Sequence, residues 1–254
     1  MIIAVCGKGG VGKTTVSALL LDELAACGYP GPVLAVDGDP ASTLTLALGL
    51  PEPKSTVADI RDNLTLDART VRSLPVGMTP ARYVFQQVQE HGVLVSYQLR
   101  QMPLDLMVMG QGEGPGCYCS INNALALVLK KMIDRYSLIL IDNEAGLEHI
   151  SRYRLERADL FLVVTTPGCA AQSVAQRIID TAVGVKVKIG ETWKIFNQTP
   201  ASFQPSHNGP TIMIPPAPSI ASLESEGRPV IEVAVDDPVR RALQPLLERI
   251  RACV

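Results

Sequence analysis

Short apolar runs recur along the chain, each broken by glycine, proline or an acid. Residues 2–6, 33–37, 104–109, 138–142, 159–165, 192–197 and 211–214 form such runs. Most lack strict polar alternation, so they read as strands buried on both faces of a sheet. Between them lie stretches of helical period: 15–26, with Val16, Leu19, Leu20 and Leu24 on one side, then 122–134, 172–183 and 238–252. Strands that alternate with helices predict an α/β fold, a mostly parallel sheet covered by helices on both faces. Residues 51–103 are the least regular, with 82–91 the clearest helical stretch. They are expected as a helical elaboration on a single domain spanning 1–254.

The first run feeds Gly7-Lys8-Gly9-Gly10-Val11-Gly12-Lys13-Thr14. A glycine-rich turn between a strand and a helix points successive backbone N–H groups into one concavity, and the helix N-terminus adds its positive end. Polyphosphate is the natural guest. The pattern is that of P-loop NTPases: Lys13 reaches the β- and γ-phosphates and the Thr14 hydroxyl ligates Mg²⁺. Gly9, Gly10 and Gly12 keep the wall bare, and with Val11, Lys13, Thr14 and Thr15 they form the expected nucleotide-binding run. Lys8 lies where the backbone curls round the phosphates, so its side chain does not easily turn back onto the same nucleotide.

Two later strands end in acids. Val36-Asp37-Gly38-Asp39-Pro40 places two carboxylates at the carboxyl edge of the sheet, where ligands bind such sheets. On the residues alone an ordinary Asp-rich turn is the simpler reading. Ser137-Leu138-Ile139-Leu140-Ile141-Asp142 is an apolar strand ending in one acid, placed to hold Mg²⁺ through water. The segment that follows it, Asn143-Glu144-Ala145-Gly146-Leu147-Glu148-His149, reads as a switch with Gly146 as pivot.

Composition narrows the partners. Of 254 residues 47% are apolar, and 23 basic residues stand against 25 acidic ones. That balance gives no field favouring nucleic acid or anionic lipid. No apolar run reaches membrane length and none reads as a signal peptide, so a cytoplasmic chain is expected. Six cysteines there are better thiols, core residues or metal ligands than disulfides. Cys117 and Cys119 follow a glycine-rich stretch that denies them a packed apolar shell. In extended backbone they face one side, so both thiolates can approach one ion. Two thiolates do not complete a tetrahedral site, but a twofold dimer would supply four. Such a set suits Zn²⁺ or Ni²⁺.

The loop with its early lysine resembles the deviant Walker A loop of the ParA, MinD and nitrogenase-iron-protein class. The resemblance implies Mg²⁺-dependent hydrolysis of ATP to ADP in a homodimer, with Lys8 crossing to the partner's phosphates as a charge-stabilising catalytic finger. It implies that Asp39 orients the attacking water and that Asp37 supports the metal shell. It also implies that Asn197, Pro215 and Pro216 hold the purine. A narrower resemblance rests on that loop, on Met107-Val108-Met109-Gly110, on Gly116-Cys117-x-Cys119 followed by Asn123-Ala124-Leu125, and on Asp142-x-Glu144-Ala145-Gly146-x-Glu148-His149. Together these look like the CooC-type accessory ATPases of carbon monoxide dehydrogenase, with Ser120 standing where that pattern has proline. This implies a metallochaperone that binds nickel, or zinc in vitro, at a dimer-interface Cys117/Cys119 site. Its client would be carbon monoxide dehydrogenase or acetyl-CoA synthase. The alternative is a MinD- or ParA-like positioning ATPase that binds membrane or DNA as an ATP dimer. The footing for it is the terminal helix, with Val239, Leu243, Leu246, Leu247 and Ile250 on one side and Arg240, Arg241, Arg249 and Arg251 elsewhere. That helix starts directly after Asp236-Asp237-Pro238 with no tether, which favours packing against the core.

Overall fold

The computed structural model describes residues 1–39, 41–59, 73–110, 135–143, 157–184, 187–205 and 209–253. Among these, eight strands form one sheet in the order β3-β4-β2-β5-β1-β6-β7-β8. They are β1 (Ile2–Gly7), β2 (Val33–Asp37), β3 (Leu94–Leu99), β4 (Met102–Val108), β5 (Leu138–Asp142), β6 (Arg157–Thr165), β7 (Lys188–Phe196) and β8 (Thr211–Met213). All neighbours run parallel except β3, which is antiparallel to β4. The fold is thus a P-loop NTPase sheet of mixed, mostly parallel strands flanked by helices, as the alternation of runs predicts.

The unbroken apolar runs have a direct cause. In β1, Ile3 and Val5 join one core with Leu19, Leu20 and Leu24 of α1 (Lys13–Ala26). Ile2, Ala4 and Cys6 join a second core on the other face with Ala175, Ile178 and Ala182 of α4 (Cys169–Gly184). Burying one such aliphatic side chain contributes about 1.5–3 kcal/mol, so neither face tolerates polar residues. Two further helices precede α4: α2 (Thr43–Ala47) after β2, and α3 (Pro80–Glu90), the expected helical stretch. After β8 come α5 (Pro218–Ser225), α6 (Pro238–Ala242) and α7 (Gln244–Arg251).

Three expectations change. Part of the supposedly helical 51–103 segment is strand β3, an edge strand whose residues are mostly half-buried or exposed. The terminal helix is two helices, because Pro245 in the first turn of α7 has no N–H to continue the α6 ladder. Its apolar residues are buried in the core, and Arg240 is only 2% exposed. Arg240 Nη1 donates to Asp22 Oδ2 at 2.8 Å and to Glu23 Oε1 at 2.5 Å, while Arg100 Nε donates to the other Asp22 oxygen at 2.7 Å. Arg240, placed by sequence only off the apolar side of this helix, is therefore a strut between α6 and α1. The stretch 122–134 lies outside the described residues. Among the described residues no helix is long and apolar enough to cross a membrane.

Candidate functional site

The central strand β1 stops at Gly7 and α1 starts at Lys13, so the loop between them turns at the middle of the sheet's carboxyl edge. Gly10 and Gly12 take φ of +75° and +92°, a region that a side chain resists. At Gly12 an added Cβ would also run into the amide of Asn197. Lys13 is 6% exposed, and its ammonium donates to the Lys8 carbonyl at 3.4 Å, folded back over the loop. Lys8 itself is exposed. The two lysines thus differ in place: one lies inside its own loop, the other outside it.

Strand register brings the acids together. Asp142 pairs with Val5 on one side and with Asp37 on the other, so both carboxylates reach the same edge beside the loop. Their environments diverge. Asp37 is fully buried and accepts from two backbone N–H groups, Asp39 N at 3.0 Å and Leu44 N at 2.9 Å. Burial nevertheless pushes its pKa up to about 6, with those two bonds pulling the other way. Each oxygen accepts one bond from the turn after β2, so Asp37 pins that turn. Asp39 lines the cleft, and its Oδ1 accepts from Ala41 N at 2.8 Å.

Asp142 is 1% exposed, and neither of its oxygens has a hydrogen-bond partner of ordinary geometry among the described residues. Burial pushes its pKa up to about 7; the nearby Thr14 hydroxyl lowers it, Asp37 raises it, and Lys13 and Ser17 lower it. The Ser17 hydroxyl is buried and unpaired as well. A buried, unsatisfied carboxylate beside two hydroxyls is costly in itself and fits a hard cation with oxygen ligands. Mg²⁺ there would neutralise charge on the nucleotide's phosphates, with Thr14 as direct ligand and Asp142 behind it.

A cleft of about 340 Å³ opens over the loop. Gly10, Gly12, Lys13, Thr14 and Thr15 form its phosphate end, with Asp39 and Thr43 from the turn after β2. Ile214, Ala217 and Ile220 add apolar lining. Pro215 and Pro216 are absent from that lining, whereas the residues flanking them, Ile214 and Ala217, belong to it. Asn197 does line the cleft, but its amide is already engaged: Nδ2 donates to the Val11 carbonyl at 2.9 Å and Oδ1 accepts from Gln198 N at 2.9 Å. Val11 is buried and Gly9 is exposed outside the lining.

Sequence reasoning missed Glu224 and Gln198. Glu224 on α5 lines the cleft, and its Oε1 accepts from the Thr15 hydroxyl at 3.1 Å. It escaped notice because no helix was expected over 218–225, where proline in the first turn starts α5. Gln198 has φ of +57°, for which no residue type gave a signal.

Cys117, Cys119 and the switch segment from Glu144 to His149 lie outside the described residues. Among the described residues no group of three or more His, Cys, Asp or Glu is placed to hold a metal.

Comparison with known proteins agrees with the loop. Residues 1–195 match the family model described as an AAA domain. An uncharacterized ATP-binding protein of Methanocaldococcus jannaschii is 38% identical over 205 residues, 80% of this chain and 77% of its own length. The carbon monoxide dehydrogenase accessory protein CooC of Rhodospirillum rubrum is 29% identical over 191 residues, 74% of this chain and 71% of its own. Among solved structures, the cell division ATPase MinD of Pyrococcus furiosus superposes with a TM-score of 0.67 at 24% identity, covering 100% of this chain and 99% of that one. The chain belongs to the AAA-domain family of P-loop ATPases, and it shares its fold with solved MinD and ParA-family ATPases.

Proposed function

We propose that the chain is an ATP-hydrolysing switch of the MinD and ParA kind that turns over as a nucleotide-bridged homodimer. The observation that carries the proposal is the division of the two loop lysines, Lys13 folded into its own cleft and Lys8 exposed outside it. In this reading Lys13 and the loop N–H groups bind the β- and γ-phosphates, and Asp39 on the cleft wall holds the attacking water in line. Lys8 supplies its charge to the partner's nucleotide. Phosphoryl transfer needs little beyond positioning and charge neutralisation, which these residues are placed to give. The apolar face of the terminal helices lies in the core, so a membrane-binding helix is no part of the proposal. The test is a pair of variants. Lys13→Ala is expected to lose ATP binding, whereas Lys8→Ala keeps it and loses turnover by about a thousandfold, the scale of a charge finger supplied in trans. Full turnover in Lys8→Ala would overturn the dimer reading.

A finer reading is supported by the likeness to CooC and by the Cys117-x-Cys119 pair. Here the dimer carries nickel as cargo on thiolates from both protomers and delivers it to carbon monoxide dehydrogenase or acetyl-CoA synthase. Equilibrium dialysis with Ni²⁺ and Zn²⁺ tests it. The double variant Cys117→Ser, Cys119→Ser is expected to lose the thiolate-bound metal while keeping ATP binding. Full metal retention contradicts this reading and leaves the wider one standing.

A further inference from the structure

The resemblance that brought Asn197 into view assigns it to the purine, yet its best-defined contact is with the phosphate loop. Three bonds fix it at the end of β7. Its backbone N–H donates to the Thr165 carbonyl at 2.7 Å, its Oδ1 accepts from Gln198 N at 2.9 Å, and its Nδ2 donates to the Val11 carbonyl at 2.9 Å. The last of these spans 186 positions of sequence. On the loop side, Val11 and Gly12 share one planar trans peptide, whose C=O and N–H point in opposite directions. Gly12 has φ of +92° and no side chain, so nothing local prevents that peptide from turning over. The next peptide is held by another bond, because the Gly12 carbonyl accepts from Val16 N at 3.0 Å as the first bond of α1.

A phosphate cradle works only while its N–H groups face the anion and its carbonyls face away. A turned-over peptide would present the Val11 oxygen, with its partial negative charge, where an N–H is needed. We propose that Asn197 is a positioning residue that locks the Val11–Gly12 peptide, holding the Gly12 N–H in the orientation that binds phosphate. The proposal rests on the nucleotide-binding reading above. It extends that reading by making the base end of the cleft and the phosphate end one hydrogen-bonded unit. It also accounts for the close approach that only glycine allows at position 12, since a Cβ there would strike the Asn197 amide.

Two measurements separate this role from a plain contact with the base. The first uses the nucleotide-free protein. Hydrogen exchange across residues 7–14 is expected to speed up about tenfold in Asn197→Ala, the effect of one lost bond to a partly buried carbonyl, with the melting temperature nearly unchanged. Unchanged exchange overturns the proposal. The second uses Mg²⁺-tripolyphosphate, which has neither base nor ribose. Its affinity is expected to fall about tenfold in Asn197→Ala and further in Asn197→Asp, whose carboxylate would face the Val11 oxygen without a proton to share. If ATP binding weakens while tripolyphosphate binding holds, Asn197 serves the base alone and the proposal fails. If the wild type binds neither ATP nor tripolyphosphate, the nucleotide reading fails, and the exchange measurement still decides the fate of the lock.

Discussion

Two carboxylates on this molecule share the same 1% exposure and have opposite fates. Asp22, near the far end of α1, accepts from Arg100 at 2.7 Å and 3.0 Å and from Arg240 at 2.8 Å. Asp142, at the loop end of β5, has no partner of ordinary hydrogen-bond geometry among the described residues, only the nearby Thr14 and Ser17 hydroxyls. Burial without partners costs several kcal/mol for a charged group, so the fold has to keep Asp142 in place by other means. It does so with the unbroken apolar strands on either side, and with Asp37 pinning the turn above. One end of the α1 layer is saturated and static; the other leaves oxygens open for a cation. A buried charge that is satisfied serves the architecture, and one held unsatisfied at a sheet's carboxyl edge marks the working site.

The comparison breaks most visibly at Arg240. Arg240→Ala is expected to destabilise the protein by about 3 kcal/mol, because it unpairs Glu23, leaves Asp22 with Arg100 alone and opens a cavity in the core. Urea denaturation measures this, and ATP hydrolysis by the fraction still folded is expected to stay near wild type. Asp142→Asn should do the reverse. Hydrolysis is expected to fall about a hundredfold as the metal's outer partner is lost. At pH 8 without nucleotide, the variant is expected to be about 1–2 kcal/mol more stable than wild type, since an unpaired buried charge has gone. A destabilised Asp142→Asn protein would mean that the carboxylate is satisfied after all.

A pH series gives a smaller and more graded effect. The pKa of Asp142 is raised to about 7 and that of Asp37 to about 6, so the folded state holds protons that the unfolded state has released. Their contribution is fully present below about pH 4, the unfolded value, and is lost as pH rises through 6 and 7. Chemical denaturation without nucleotide should therefore show stability falling by about 1 kcal/mol per pH unit for each carboxylate that titrates. Mg²⁺ and ATP bind the ionised form, so adding them should flatten the slope, and Asp142→Asn should remove its upper part. Stability rising across this window would contradict the assignment.

How much of this was legible in sequence depended on how local the cause is. The sheet was readable because its strands are buried on both faces, which leaves runs such as Leu138-Ile139-Leu140-Ile141 with no alternative. Strand β3 was not, because an edge strand needs no such run. The loop was readable from spacing alone, and the acids after β2 only through the resemblance that the loop carries. What the acids do was less so: Asp37 and Asp142 look alike in sequence, and only the backbone N–H groups of Asp39 and Leu44 divide them. The part Arg240 plays was not readable, because the two acids it pairs with lie more than two hundred residues earlier. Asn197 read as a base ligand for the same reason, its partner Val11 being a backbone carbonyl at the opposite end of the chain.

The claim that Lys13 serves its own nucleotide and Lys8 a partner's is tested most directly by turnover per protomer as a function of protein concentration. ATP hydrolysis is measured across a dilution series together with native mass. The account predicts that turnover per protomer rises with concentration, follows the appearance of the dimer and then saturates. Constant turnover per protomer down to dilutions where only monomer remains would contradict it.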